Sequence, residues 1–222
     1  MTTVLLIPGG KSVDEKPIDR FLLSLNAAID YYNQNKSSEN IIFVVSGRWV
    51  SVTELYSMTE AEIGKRYILE SIPDAEVVKE DISVELIGNY VFSKPLIAAF
   101  NPDKVIVFTS ELLYARSKMF TKRIFSDCFP CEVQIITNAL SDNLVLKDKE
   151  KQALKLFEKL FEDISDGDDV AFRERLMYST PYYFKGIIDD KSYFDKYWGG
   201  GYDNFINGIN ERREKTYDSN RT

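Results

Sequence analysis

The sequence predicts a three-layer α/β fold of Rossmann-like type, with five parallel strands in the order 3-2-1-4-5. Apolar, β-branched and aromatic runs alternate five times with segments of helical character between residues 3 and 164. Such alternation calls for parallel pairing through right-handed crossovers. Two crossovers on one side of the first strand, then two on the other, give the order. The strand ends supply the third observation. Gly9-Gly10, Ser46-Gly47, Glu80 with Ser83, and Thr109-Ser110 place small or polar residues at the ends of four runs. They fall at the carboxyl edge of the sheet, where open α/β folds bind ligands.

Thr3 to Pro8 is the first strand. Gly9-Gly10-Lys11-Ser12 follows, and its glycines let backbone N–H groups approach a ligand. It is not a P-loop, because G-x-x-x-x-G-K-[ST] is absent. A helix is expected from Pro17, at its first position, to Asn33, with Ile18, Phe21, Leu22, Leu25, Ala28, Ile29 and Tyr32 at helical spacing. Ile41 to Val45 is the second strand, and a longer connection runs from Trp49 to Met58. Thr59 and Glu62 form a capping box for a helix reaching Glu70. Ala75 to Lys79 is an edge-like third strand, and Val84 to Phe100 a helix broken or kinked near Pro95. Lys104 to Ser110 is the fourth strand, with a helix starting at once behind it. Ser110 is its expected N-cap, and the free N–H groups suit an anion. Arg116 and Arg123 share one face of that helix. Glu132 to Thr137 is the fifth strand. Lys147 to Ile164 is an amphipathic helix with Leu154, Phe157, Leu160 and Phe161 inward.

The Rossmann-like domain therefore spans residues 1–164. Residues 165–222 form a helical or irregular extension, rich in aromatics such as Tyr182, Tyr183, Phe184, Tyr197 and Trp198. These rings either dock the extension on the core or wall the ligand edge. A net charge of −7 argues against nucleic acid or an anionic membrane surface as partner. No run of apolar residues is long enough to span a bilayer, and the first residues lack a signal peptide's basic start, so a cytoplasmic location is expected.

The chain has no histidine. A Ser-His-Asp triad, a Cys-His pair, His-ligated zinc and an imidazole base are thereby excluded within it. Cys128 and Cys131 sit after a helix and before a strand, the reverse of a thioredoxin-type pair, and are expected to be free structural thiols with no metal.

The strand-end residues suggest roles. Gly9, Gly10 and Gly47 allow close backbone approach, Ser110 with its helix N-terminus takes an anion, and Arg116 clamps it. Glu60 and Glu80 bind ribose hydroxyls, hold a hydrated metal or activate water. No catalytic residue is assigned.

The ordered series Gly9-Gly10, Arg20, Ser46-Gly47, Glu60-Ala61, Glu80-x-x-Ser83, Asn89, and Thr109-Ser110 with Arg116 resembles the YdcF/SanA/ElyC-like family of bacterial proteins, over roughly residues 3 to 140. There are departures. The family's histidine falls at Leu113, the second glycine of its Ser-Gly-Gly is Arg48, and only Asn89 is kept of its Asn-rich helix start. The resemblance implies a Rossmann-like fold and a polar pocket, brings Arg20 and Asn89 into the site, and makes S-adenosylmethionine a candidate ligand. The expectation is a small-molecule-binding protein for a nucleotide-like or phosphate-bearing ligand, with hydrolase or transferase chemistry. The alternative is a non-catalytic binding or homodimerisation module that has lost the family's chemistry. On the first reading Gly9, Gly10, Ser46, Gly47, Glu60, Glu80, Ser83, Asn89, Thr109, Ser110 and Arg116 surround one cavity, with Gly9-Gly10 and Thr109-Ser110 closest together and Arg116 reaching in.

Overall fold

Five strands make one all-parallel sheet: β1 (Thr2–Pro8), β2 (Asn40–Ser46), β3 (Glu76–Glu80), β4 (Lys104–Ser110) and β5 (Cys131–Ile136). Their order across the sheet is β3-β2-β1-β4-β5, the expected 3-2-1-4-5. This computed structural model describes residues 1–10, 12–13, 15–48, 58–126, 128–136 and 144–179. Most of the connection expected at 49–58, and the aromatic segment beyond 179, lie outside the described residues. The chain divides into a unit Met1–Asp168 and a unit Asp169–Thr222, of which helix α6 (Asp169–Ser179) is described.

The sheet strands are apolar on both faces because helices cover both. Leu5 and Ile7 of β1, Ile41, Phe43 and Val45 of β2, and Ile106 and Phe108 of β4 share one core with α1 (Asp19–Asn35) and α2 (Glu60–Ser71). With a period of two, Val4, Leu6, Ile42, Val44, Val105 and Val107 turn to the other face and are equally buried. There α3 (Leu86–Ala98) crosses from β3 to β4, and α4 (Tyr114–Phe125) crosses from β4 to β5. Helix α3 is buried almost all round, which accounts for its nearly unbroken apolar sequence. Its helical assignment runs through Pro95 to Ala98, so the expected break is absent. Helix α5 (Leu144–Leu160) lies over α4, with Phe157 edge-on to Phe120 at 5.4 Å. Its inward residues Leu154, Phe157 and Leu160 are half-buried, and Phe161 just beyond it is buried. No helix among the described residues is long and apolar enough to cross a membrane.

The structure departs from expectation at two helix starts. Ser12–Val13 pairs antiparallel with Lys16–Pro17 in a small hairpin, and Pro17 is held there rather than at the head of a helix. Helix α1 begins at Asp19, whose φ of 51° is left-handed, behind Ile18, whose side chain caps nothing. Behind β4, a 3₁₀ turn (Glu111–Leu113) precedes α4, and Ser110 makes no capping hydrogen bond. At α2 the capping box is half realised. The Thr59 hydroxyl accepts from Glu62 N at 3.1 Å, while the Glu62 carboxylate turns to Lys79 and Arg66.

The ladders show where the sheet opens. β1 and β2 stay in register to Pro8–Ser46, β2 and β3 to Ser46–Glu80, and β4 and β5 to Ser110–Ile136. β1 and β4 pair only as far as Leu6–Val107. Their carboxyl ends part at the point where the chain reverses its direction of winding, which is where open α/β sheets form a crevice.

Between α3 and α4 lies a buried tyrosine. Tyr90 sits against Phe120 at 5.5 Å and Phe125 at 5.9 Å, and among the described residues its hydroxyl makes no well-formed hydrogen bond, although the Ser117 and Thr121 side chains lie near it. A buried unpaired hydroxyl costs about 1–3 kcal/mol. Tyr90→Phe is therefore expected to raise stability by about 1 kcal/mol in urea denaturation; a loss of stability would show that the hydroxyl is bonded.

Candidate functional site at the carboxyl edge of the sheet

Glu80 closes β3 and is fully buried. One carboxylate oxygen accepts from the backbone N–H of Ile82 at 2.7 Å and of Ser83 at 2.9 Å. The other accepts from the hydroxyls of Ser46 and Ser83. Both hydroxyls also lie within hydrogen-bond distance of the Asn89 side-chain oxygen, that of Ser46 at 3.1 Å. The main chain reinforces the tie, since Gly47 N donates to Glu80 O at 2.8 Å and Arg48 N to Ser83 O. Ser46, Glu80, Ser83 and Asn89 thus form a closed polar cluster joining β2, β3 and α3. Burial pushes the Glu80 carboxyl up to about 7, against the pull of its four hydrogen bonds. Its oxygens are occupied, so Glu80 holds its neighbours in place rather than meeting a ligand itself.

Glu60 is built differently. It opens α2 and is 7% exposed. Its carboxylate lies over the backbone of Gly9 and Gly47, and a Cβ on either glycine would run into it. Gly47 also has a φ of +139°, which disfavours any side chain. Ala61 N donates to Gly47 O at 2.9 Å and fixes the head of α2 against the end of β2. Among the described residues no donor meets the Glu60 carboxylate. Burial pushes its pKa up to about 8; Arg20 opposes this and Glu80 adds to it.

Arg20 follows the left-handed Asp19 at the start of α1 and is partly buried. It makes no hydrogen bond and no ion pair with the described residues. Burial draws its guanidinium below the usual arginine range. Glu60 opposes, Arg116 lowers it further, and Glu150 opposes in turn. Arg20 is therefore in electrostatic reach both of Glu60, above β1 and β2, and of the Arg116–Glu150 pair behind β4.

Four expected ligand contacts face elsewhere. A Cβ on Gly10 would stand 2.7 Å from Cβ of Phe21, so this glycine admits α1 to the sheet. The Thr109 hydroxyl meets that of Ser117 at 2.8 Å and ties β4 to α4. Ser110 is buried ahead of the 3₁₀ turn. Arg116 is held in a bidentate pair by Glu150 of α5, at 2.6 and 2.8 Å, with the Phe157 ring at 5.7 Å. Its donors point to α5 rather than to Gly10 and Ser110. It lines a pocket of about 220 Å³ between α4 and α5 with Leu112, Ala115, Lys147 and Leu154. Arg123, on the same face, ties down the turn after α5 through Asp166 and the Phe161 carbonyl. Ser46, Glu80, Ser83 and Asn89 thus form one cluster, Glu60 stands beside it against Gly9 and Gly47, and Arg20 reaches electrostatically from Glu60 to Arg116. Glu150 had no signal in the sequence, and Phe21 had one only as an apolar helix residue, because each meets its partner through packing between separate elements.

Comparison with models of protein families, with curated proteins and with solved structures finds no match. Cys128 and Cys131 are free thiols, and burial pushes that of Cys131 up to about 12, so it is not a ready nucleophile. Among the described residues no three His, Cys, Asp or Glu side chains gather as metal ligands do.

The raised carboxyls make a pH prediction. The folded chain keeps protons on Glu60 and Glu80 that the unfolded chain releases near 4.5. It binds more protons in the window from 4.5 to about 8, so their contribution to stability falls as pH rises through it. Glu80→Gln is expected to remove the part of that slope below about 7, roughly 3 kcal/mol in all, in urea denaturation across the window. An unchanged slope in the variant would assign the effect elsewhere.

Proposed function

We propose that this protein binds a small phosphate-bearing or nucleotide-like ligand in the crevice where the carboxyl ends of β1 and β4 part. The observation that carries the reading is Arg20, a partly buried guanidinium whose donors are unused among the described residues, at the head of the helix that follows β1. Arginine held in this way suits a phosphate or carboxylate, which it can meet bidentately. The clamp first expected of Arg116 passes to Arg20, because Glu150 already occupies the Arg116 fork. Gly9 and Gly47 keep side chains out of the space beside Glu60. Within this class S-adenosylmethionine is a candidate through the resemblance to the YdcF/SanA/ElyC-like family, and a cytoplasmic setting belongs to the same proposal.

Hydrolase or transferase chemistry, if the site has it, falls to Glu60, the buried carboxyl with free acceptor capacity. A second reading, binding without catalysis, is favoured by two features. Glu80 is saturated, and a buried leucine, Leu113, stands where the resembling family has histidine.

Titration calorimetry with inorganic phosphate and adenosine monophosphate tests the proposal. Losing a charge-assisted contact worth about 1.5–3 kcal/mol, Arg20→Ala is expected to weaken both by about tenfold to a hundredfold, and Arg116→Ala much less. Equal loss in both variants, or binding untouched by Arg20→Ala, would refute the assignment of the anion to Arg20.

A further inference from the structure

The Glu60 carboxylate is an acceptor that the described part of the chain leaves unused. It is 7% exposed, so water serves it poorly, and no described donor replaces that water. A buried carboxyl without partners is costly even when it keeps its proton, and a fold that only needed to fill this space would do so more cheaply with an apolar side chain. Glu80, one strand away, shows how this protein satisfies a structural carboxylate, with two backbone and two hydroxyl donors. Arg20 does not supply what Glu60 lacks, because the two do not come within ion-pair distance, although each feels the other's charge. Gly9 and Gly47 bring the carboxylate onto the ends of β1 and β2. In dinucleotide-binding sheets an acidic side chain associated with this region accepts from ribose hydroxyls, while phosphate lies nearer the first strand's turn and helix.

Resting on the anion site at Arg20, we infer that Glu60 accepts hydrogen bonds from a hydroxyl pair of the ligand. The ligand class narrows to sugar phosphates and nucleotides with free neighbouring hydroxyls. Anion and hydroxyls are then read by separate residues, Arg20 from α1 and Glu60 from α2.

The probes are adenosine monophosphate and its dideoxy analogue, which lacks both ribose hydroxyls, titrated into wild type, Glu60→Gln and Arg20→Ala. Wild type is expected to prefer the hydroxylated nucleotide by about tenfold to a hundredfold, as hydrogen bonds to a charged group warrant. Glu60→Gln should close that gap, whereas Arg20→Ala should weaken both nucleotides. A second measurement needs no variant. The Glu60 carboxyl holds its proton near neutral pH, so donors that favour the ionised form should expel it. Binding of the hydroxylated nucleotide, and not of the dideoxy one, should therefore release a proton, read from binding enthalpies in buffers of different ionisation heat. Equal wild-type affinities, a gap that persists in Glu60→Gln, or no proton release overturns the hydroxyl assignment. If Arg20→Ala still weakens both nucleotides in that case, the anion site stands without it. If neither nucleotide binds wild type, both readings fall.

Discussion

Ionised oxygen must be solvated by something, and at the carboxyl edge of this sheet water is largely shut out. Glu80 meets that constraint with the N–H groups of Ile82 and Ser83 and the hydroxyls of Ser46 and Ser83. The chain after β3 turns back over the carboxylate so that those N–H groups point inward. Because the donors come from the end of β2 and the turn after β3, and Asn89 joins them from α3, one carboxylate fixes three elements. Each hydrogen bond to a charged group contributes about 1.5–3 kcal/mol, and desolvation offsets much of the sum. The network therefore gives a defined geometry more than it gives stability.

Glu60 lies under the same constraint without the same solution. Its neighbours are the bare backbones of Gly9 and Gly47, and Arg20 acts on it without forming an ion pair. The Glu80 carboxyl also disfavours the charge of Glu60, which helps raise the Glu60 pKa. One buried carboxylate is thus fully satisfied and the next is left without a described donor. The Glu80 cluster ties the ends of β2 and β3, and Glu60 stands beside it at the ends of β1 and β2.

On the β4 side the same division holds. Arg116 is fixed by Glu150 and by the face of Phe157, and Arg123 by Asp166 and backbone carbonyls, so both arginines anchor α5 and the turn after it. Among the described residues Arg20 has no such anchor. Its position follows from the left-handed Asp19 and from Gly10, which lets Phe21 seat α1 directly on the sheet. The packing of Phe21 and the placement of Arg20 are thus neighbouring consequences of one helix start.

The sequence by itself determined the sheet. Val, Ile and Phe runs of strand length, separated by helical periods, admit few arrangements once crossovers must be right-handed, and the strand order follows. It also determined which residues reach the carboxyl edge, because every turn from strand to helix emerges there. Thr59 as a cap was legible too, since a cap is satisfied within three residues. Only the tertiary structure decided what each side chain does at that edge. The sequence put the clamp at Arg116 and reached Arg20 only through the resemblance; Glu150, 34 positions from Arg116, occupies the first and leaves the second. Glu60 and Glu80 read alike, and the donors that saturate Glu80 include Ser46, 34 positions away across a strand pair. Local periodicity encodes the element a residue belongs to. Which charge is neutralised depends on partners brought together by packing, and no local pattern carries that information.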